Sequence, residues 1–303
     1  MNKRYIKWSL WPLSLVMVFL LSNTNTYFIS DAEYDSAVSS HNKVFAISAP
    51  KQLEFAGEKV PLNKFYVKEA LEYEMTVNTY WHSASIQLLK NSHRWFPVIE
   101  PILKKNGIPE DFKYLAAAES ALRNIVSPAG AAGFWQIMKT TAREYGLEVN
   151  SSIDERYQLE KATKVACEYI RTAYDKYGSW TLAAASYNAG MNKISKEIER
   201  QGESNYYNMN FGMETGRYMY RILAIKQLIE TPKEFGFHLR SEDFYQAYDT
   251  YEISVDTTIE SLASFAKAHG LNYKELKVYN PWMLRSSLPD KSRRTYYIKI
   301  PTK

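Results

Sequence analysis

The sequence predicts a mainly helical protein that ends in a small β-α-α-β module. Apolar residues recur at three- and four-residue steps through most of residues 61–232, which is typical of helices packed on one face. Short segments typical of strands occur near residues 251–254 and 295–300. Hydrophobic residues make up 46% of the 303 positions, so the chain can fold around a substantial core.

The helical region is predicted from periodicity and from its boundary residues. The first helix follows Pro61, and Pro109 opens the third at a position where proline is favoured. The strongest periodicity begins at Ala162, and the last helix stops before Pro232. The predicted helices cover residues 65–75, 86–105, a stretch from 109 onward, 162–177 and 215–230.

The C-terminal module is predicted from two strand-like segments that enclose two short helical patterns. Tyr251–Ser254 and Thr295–Ile300 have the strand composition, and Gly270 separates the two helices between them. We expect the two strands to pair and the helices to cover one face of the pair.

The first residues have the features of a secretory signal. Lys3, Arg4 and Lys7 precede an apolar run over residues 8–21, and a polar stretch follows. Since no clear cleavage site follows the run, an uncleaved membrane anchor stays open as the alternative. No cysteine comes just after this run, which excludes a lipid anchor at that place. We therefore expect an exported protein, periplasmic or membrane-associated in the cell envelope.

These features divide the chain into four parts. They are a signal peptide or anchor (1–27), a linker without sustained periodicity (28–63), a helical domain (64–235) and the C-terminal module (245–303).

Charge and cysteine content exclude several classes of protein. The net charge is +5, and three of the positive residues lie among the first ten, so the balance gives no basis for nucleic-acid binding. The single cysteine, Cys167, excludes an intrachain disulfide and a zinc site built on several thiolates, and its helical position predicts a packing role. The five histidines show no ligand spacing. We predict no metal and no other cofactor.

Glu119 is the candidate catalytic residue. It follows Phe112, Leu115 and Ala116 at helical spacing, so a carboxyl occupies a position where the pattern requires an apolar residue. Desolvation there would raise its pKa, and a carboxyl that stays protonated near neutral pH can act as a general acid towards a glycosidic oxygen. The alternative is that Glu119 ends a helix and forms a salt bridge with a neighbour.

Two later segments add candidate binding residues. Gly130 and Gly133 punctuate a turn that presents Gln136, whose amide can both donate and accept hydrogen bonds. An alanine-rich helix ends in Tyr187 and Asn188 before a glycine. The alternative to a binding role is an ordinary packed loop for the first segment and close helix packing for the second.

Together, these segments resemble the lytic murein transglycosylases, a family within the lysozyme-like group that cleaves bacterial peptidoglycan. The order and spacing of four motifs agree across roughly residues 64–232. Two departures are Ser186, where the family usually has alanine, and the sequence of residues 219–221. The motifs are Glu119-Ser120; Ser127, Gly130, Gly133 and Gln136; Tyr187-Asn188-Ala189-Gly190; and Glu214-Thr215 with Tyr218.

The resemblance implies a lysozyme-like fold and a single-carboxyl mechanism. Glu119 would protonate the oxygen between N-acetylmuramic acid and N-acetylglucosamine, and would then act as a base, so that a 1,6-anhydro end forms without water. We expect Tyr187 and Tyr218 to offer stacking or hydroxyl contacts, and Glu214 to support its neighbours. The substrate-binding residues implied are Ser120, Ser127, Gln136, Tyr187, Asn188, Glu214 and Tyr218.

The C-terminal module resembles a degenerate LysM domain. Asp256-Thr257 is similar to the family's Gly-Asp-Thr, with Val255 in place of the glycine, and Asn280 and residues 298–301 match better. The resemblance implies glycan binding, with a purely structural appendage as the alternative.

Two other functions stay open at this point. A goose-type lysozyme would use water and leave a reducing end, and a wall-binding scaffold would not cleave at all. In each case the expected partner is the peptidoglycan strand, with membrane association possible through the N-terminal segment.

Overall fold

The computed structural model describes residues 31–32, 35–36, 44–289 and 294–302. Its contacts divide the chain into one unit of residues 1–46 and a second of residues 47–303, which contains the candidate site. The predicted signal peptide or anchor, residues 1–27, lies outside the described residues. In the described part of the chain, no helix has both the length and the apolar character needed to cross a membrane.

The helical domain confirms the mainly helical fold and most of its predicted elements. Helix α3 begins at Phe112 and not at Pro109, because the residues after Pro109 form a turn whose amides donate to carbonyls three residues back. The helices are α1 (Phe65–Tyr80), α2 (His82–Lys105), α3 (Phe112–Ser120), α4 (Lys139–Glu144), α5 (Leu159–Tyr177), α6 (Trp180–Ala189), α7 (Met191–Gln201) and α8 (Met213–Glu230).

Helix α8 lies at the centre of this domain and packs against α1, α3 and α6. Its Ile222 and Leu223 are fully buried, as are Leu115 of α3 and Ile170 of α5. The side chain of Cys167 on α5 is also buried, and burial raises the pKa of its thiol to about 12, which suits the predicted packing role.

The linker prediction is wrong for residues 53–60. Strands β1 (Glu54–Phe55) and β2 (Glu58–Lys59) form a tight antiparallel hairpin that belongs to the helical domain. Phe55 is fully buried, and its ring meets that of Phe112 with centroids 5.1 Å apart. Strands of two residues are too short to show a periodic pattern, so periodicity could not predict them.

The C-terminal module has the predicted β-α-α-β order. Strands β3 (Thr250–Val255) and β4 (Tyr296–Pro301) pair antiparallel, and helices α9 (Leu262–Ala268) and α10 (Tyr273–Tyr279) lie between them in sequence. The inward residues of β4 alternate with exposed or partly exposed ones, as one buried face of a sheet requires. Asn280 is fully buried and pairs with the backbone of Lys299 through both amide atoms, at 2.7 and 2.8 Å.

Candidate active site

Helix α3 carries the candidate acid at its C-terminal end. Phe112, Leu115 and Ala116 are fully buried, which confirms the predicted apolar face, and Glu119 continues that face one turn later, partly buried. The helix stops at Ser120 because the next two residues adopt left-handed conformations, with φ of 50° and 57°. The carboxyl therefore lies at a sharp change in chain direction.

The Glu119 carboxyl is partnered by a phenol. The hydroxyl of Tyr218, on α8, donates a hydrogen bond to Oε1 of Glu119. Burial raises the pKa of Glu119 to about 7, against a smaller lowering from this hydrogen bond and from the charge of Arg221. No salt bridge involves Glu119 in the part of the chain that the structure describes. Burial thus favours the protonated carboxyl near neutral pH much more than water does.

A tight turn over residues 127–137 lies beside this helix end. The amide of Ala131 donates to Oγ of Ser127 at 3.1 Å, which closes one end of the turn. Gln136 adopts a left-handed φ of 46°, and its Nε2 donates to the carbonyls of Gly133 and Ile125 at 2.7 and 3.1 Å. A left-handed φ is costly for a residue with a side chain. The two hydrogen bonds from Nε2 hold the side-chain amide of Gln136 in one orientation.

The third and fourth predicted motifs meet at the end of α6 and the start of α8. Asn188 Oδ1 accepts a hydrogen bond from the Thr215 hydroxyl at 3.0 Å, and its Nδ2 donates to Glu214 at 3.3 Å. The Tyr187 hydroxyl donates to the carbonyl of Trp135 at 2.7 Å, which ties α6 to the turn. Burial, and next the charge of Glu119, raise the pKa of Tyr187, so its hydroxyl stays protonated.

The structure corrects two predicted substrate contacts. Ser120 is only 2% exposed and donates its hydroxyl to the carbonyl of Phe134 at 2.8 Å, so it holds the turn against α3 and is not presented to a ligand. Tyr218 is also only 2% exposed, which excludes stacking of its ring on a sugar, and its role is the hydrogen bond to Glu119. Both residues lie next to the candidate acid, Ser120 in sequence and Tyr218 through its hydrogen bond.

The nearby acidic residues other than Glu119 are engaged elsewhere. Asp111 pairs with Lys226 at 2.8 Å, and Glu110 pairs with Lys113 at 2.5 Å. Glu214 is exposed and raises the pKa of Glu119 slightly through its charge. Glu119 is therefore the acid whose surroundings favour proton donation.

Sequence reasoning missed Arg156, whose side chain holds the turn through hydrogen bonds. This buried residue donates through Nη1 to the carbonyls of Gly130 and Ile137 at 2.8 and 3.0 Å. Gly133 packs so closely on it that a Cβ added at Gly133 would lie 2.1 Å from the Arg156 carbonyl oxygen. Three successive charged residues that end in a short 3₁₀ helix show no apolar periodicity, so no sequence pattern indicated this burial.

Comparison with known proteins finds two domains in this chain. Residues 96–210 match the transglycosylase SLT domain, and residues 251–303 match the soluble lytic transglycosylase C-terminal LysM-like domain. Two relatives from Escherichia coli, strains K12 and O6:H1 CFT073, are each called membrane-bound lytic murein transglycosylase D. Each is 27% identical over 207 residues, which cover 66% of this chain and 45% of the relative.

The chain thus spans less than half the length of the curated relatives it matches. Among solved structures, it is similar to the 70 kDa soluble lytic transglycosylase of Escherichia coli, with a TM-score of 0.39 and 20% identity. That match covers 51% of this chain and 27% of the other.

Proposed function

Because the chain carries a transglycosylase SLT domain and a LysM-like domain, we propose that it is a peptidoglycan lytic transglycosylase. The observation that carries this proposal is the Glu119 carboxyl, partly buried, bonded by a phenol and raised to a pKa of about 7. Glycosidases commonly use two carboxyls. Here a single one has the surroundings of an acid catalyst, which favours a reaction that needs no second carboxylate.

In the first step, protonated Glu119 donates its proton to the oxygen that joins N-acetylmuramic acid to N-acetylglucosamine. The bond from the muramoyl anomeric carbon to that oxygen breaks, and the leaving sugar departs with a free 4-hydroxyl. The substrate's own acetamido group stabilises the positive charge that develops at the anomeric carbon. Since the pKa of Glu119 lies near neutrality, a large fraction of the enzyme starts in the protonated form.

In the second step, ionised Glu119 takes the proton of the 6-hydroxyl on the same muramoyl sugar. That oxygen then bonds to the anomeric carbon and closes a 1,6-anhydro ring. No water is consumed, and Glu119 ends the cycle protonated, as it began. The Tyr218 hydrogen bond stabilises the ionised form between the two steps, because it donates to the carboxylate.

The remaining residues of the site position the glycan. Gln136 and Asn188 are the amides we expect to bind sugar hydroxyls and acetamides, with Tyr187 behind them. Ser127 closes the turn that carries Gln136, and Glu214 orients Asn188. Asn188 and Gln136 are partly exposed, as a substrate contact requires.

We further propose that the protein acts in the cell envelope, where its substrate lies, with the N-terminal segment as its export signal or membrane anchor. The name of the Escherichia coli relatives includes "membrane-bound", which supports association with a membrane. The C-terminal module would contribute glycan binding. Domain boundaries at residues 64, 235 and 245 remain predictions.

Analysis of the products from purified peptidoglycan in ¹⁸O-labelled water tests the reaction. A lytic transglycosylase releases anhydro-muropeptides that are lighter than the hydrolysis products by one water and carry no label. A hydrolase releases reducing ends that contain the label. Glu119→Gln is the inactive reference, and Glu110→Gln, an exposed partner of Lys113 nearby in the sequence, is the matched control.

Labelled reducing ends would overturn the transglycosylase proposal in favour of a goose-type hydrolase. If neither the wild type nor Glu110→Gln releases soluble products while both bind the polymer, the protein is a wall-binding scaffold.

A further inference from the structure

One buried residue of the helical domain lies in the hydrophobic core of the C-terminal module. Ile153, from the loop before α5, is 1% exposed and packs within the module's own hydrophobic cluster. It forms an antiparallel bridge with Met283. The Asp154 amide donates to the carbonyl of Trp282 at 3.0 Å, and the Leu284 amide donates to the carbonyl of Ser152 at 2.8 Å. Residues 152–154 are therefore joined to the module as a short strand would be.

Side chains reinforce this junction on both sides. The Tyr296 hydroxyl, at the start of β4, donates to Oε2 of Glu148 at 2.9 Å. Arg285 Nε donates to the carbonyl of Ser151 at 3.0 Å. These contacts fix the module directly on residues 148–154, in addition to the covalent connection.

The same loop continues into the residue that holds the active-site turn. Asp154 accepts hydrogen bonds from Nε and Nη2 of Arg156 at 2.9 and 2.7 Å, so the guanidinium is held in a fixed plane. That guanidinium donates to the carbonyls of Gly130 and Ile137, near the two ends of the turn. One buried pair therefore connects the module's contact strand to the turn that presents Gln136.

The turn itself touches the catalytic helix. The Phe134 carbonyl accepts from Ser120, the neighbour of Glu119, and the Trp135 carbonyl accepts from Tyr187. A displacement of the turn by a fraction of an ångström would therefore alter the surroundings of the acid.

We propose that the C-terminal module is a positioning element of the active site, and that it acts through residues 148–156 with Arg156 as the positioning residue. The module would then contribute to turnover even on substrates too short to reach it. The kinetic consequence rests on the function proposed above, whereas the structural coupling does not.

Tyr296→Phe in the full-length chain tests the coupling with a minimal change. It removes the hydroxyl that donates to Glu148 and keeps the buried ring stacked on Trp282. The matched control is Tyr297→Phe, the next residue on β4, whose side chain is 51% exposed on the opposite face. Amide hydrogen exchange of residues 127–137 is measured for both variants, together with kcat and KM on short soluble glycan strands.

We expect faster exchange in residues 127–137 and a kcat lowered about threefold, with little change in KM, for Tyr296→Phe. Tyr297→Phe should match the wild type in each measurement. Arg156→Lys keeps the positive charge but loses the planar guanidinium with its several donors. This variant should lower kcat at least about tenfold.

Unchanged exchange at the turn in Tyr296→Phe, with the variant folded, would overturn the proposal. So would a wild-type kcat on the short soluble strands, which is the result for a module that only tethers the enzyme to the polymer. If neither the wild type nor any variant cleaves glycan, the proposed function fails. The exchange data still decide whether the module is coupled to the turn.

Discussion

Two carboxyls accept hydrogen bonds from successive residues of helix α8, and the two contacts differ in their electrostatic effect. Glu74 of α1 is 2% exposed and accepts a hydrogen bond from Nε of Arg217 at 2.5 Å. Glu119 of α3 accepts its bond from the hydroxyl of Tyr218, the next residue along. Glu74 forms an ion pair with Arg217, whereas burial raises the pKa of Glu119 to about 7.

The difference shows that burial alone does not make a proton donor. A guanidinium compensates the charge of a desolvated carboxylate, and the pair then fastens two helices together. A neutral phenol compensates much less, so desolvation acts on the carboxyl and favours its protonated form. The neighbouring residue on α8 therefore distinguishes Glu74, which has a structural role, from Glu119, the candidate catalytic acid.

The strongest test of this comparison is Glu119→Gln. The amide cannot donate a proton as an acid does, so we expect cleavage of peptidoglycan to fall about 10³-fold or more while the helical content stays unchanged. The measurements are the rate of muropeptide release and the circular dichroism spectrum. A variant with substantial activity would refute the assignment of the acid.

The same variant should be stabilised in a pH-dependent way. The folded protein holds a proton on Glu119 up to a pKa of about 7, whereas the unfolded chain loses it near the ordinary value of 4.5. The wild type therefore loses stability as the pH rises through this interval, and Glu119→Gln does not. We expect the gain in Tm to be larger at pH 8 than at pH 4, and an equal gain at both would contradict the raised pKa.

Glu74→Gln should have the second-largest effect, on stability. It leaves the partly exposed guanidinium of Arg217 without its charge partner, and we expect a loss of about 2 kcal/mol in the free energy of unfolding. Glu69→Gln, an exposed change on the same helix, is the control for loss of one negative charge. Specific activity of the folded fraction should remain near that of the wild type, and its collapse would show that the two regions are not independent.

Tyr218→Phe should alter the chemistry more than the fold. The hydrogen bond lowers the pKa of Glu119, so its removal should raise that pKa further and move the alkaline fall in kcat/KM to higher pH. Since the ionised form also loses stabilisation, we expect kcat to fall about tenfold at neutral pH.

Tyr114→Phe provides the matched control, because it deletes a hydroxyl that bonds another carboxylate, Glu230, at 2.9 Å. A shift of the alkaline fall to lower pH in Tyr218→Phe, or an equal shift in both variants, would contradict the assigned hydrogen bond.

Glu58→Gln should give the smallest effect. This carboxylate from the β1–β2 hairpin accepts from the amides of Trp180 and Thr181 at the start of α6, where the helix dipole favours a negative charge. Loss of the charge should cost about 1 kcal/mol in the free energy of unfolding, without a change in the pH profile of cleavage. Chemical denaturation measures the first quantity, and no loss would show that the hairpin contributes packing alone.

Local patterns in the sequence predicted much of this protein. The three- and four-residue periodicity predicted α2, α5 and α8 to within a few residues, and the two strand-like segments predicted the pairing of β3 with β4. The apolar face of α3 identified Glu119 as a carboxyl among buried residues. These features depend on neighbours within one element, so the order of residues is enough to reveal them.

Local patterns could not reveal contacts between distant residues. The hairpin at residues 54–59 has too few residues for a period, and its role depends on Phe112 and on α6. Arg156 is charged and lies in a short 3₁₀ helix, yet it is buried and donates to the carbonyls of residues 130 and 137. Neither environment is encoded in the adjacent sequence.

The sequence by itself determined which element carries the acid, because helical spacing places Glu119 on an apolar face whatever surrounds it. Only the tertiary structure decided the acid's partner. Residues 119 and 218 are far apart in the chain, and the packing of α3 against α8 brings the phenol, and not the neighbouring guanidinium, to the carboxyl. Burial raises the pKa of Glu119, and a phenol offsets that rise less than a guanidinium at the same place would.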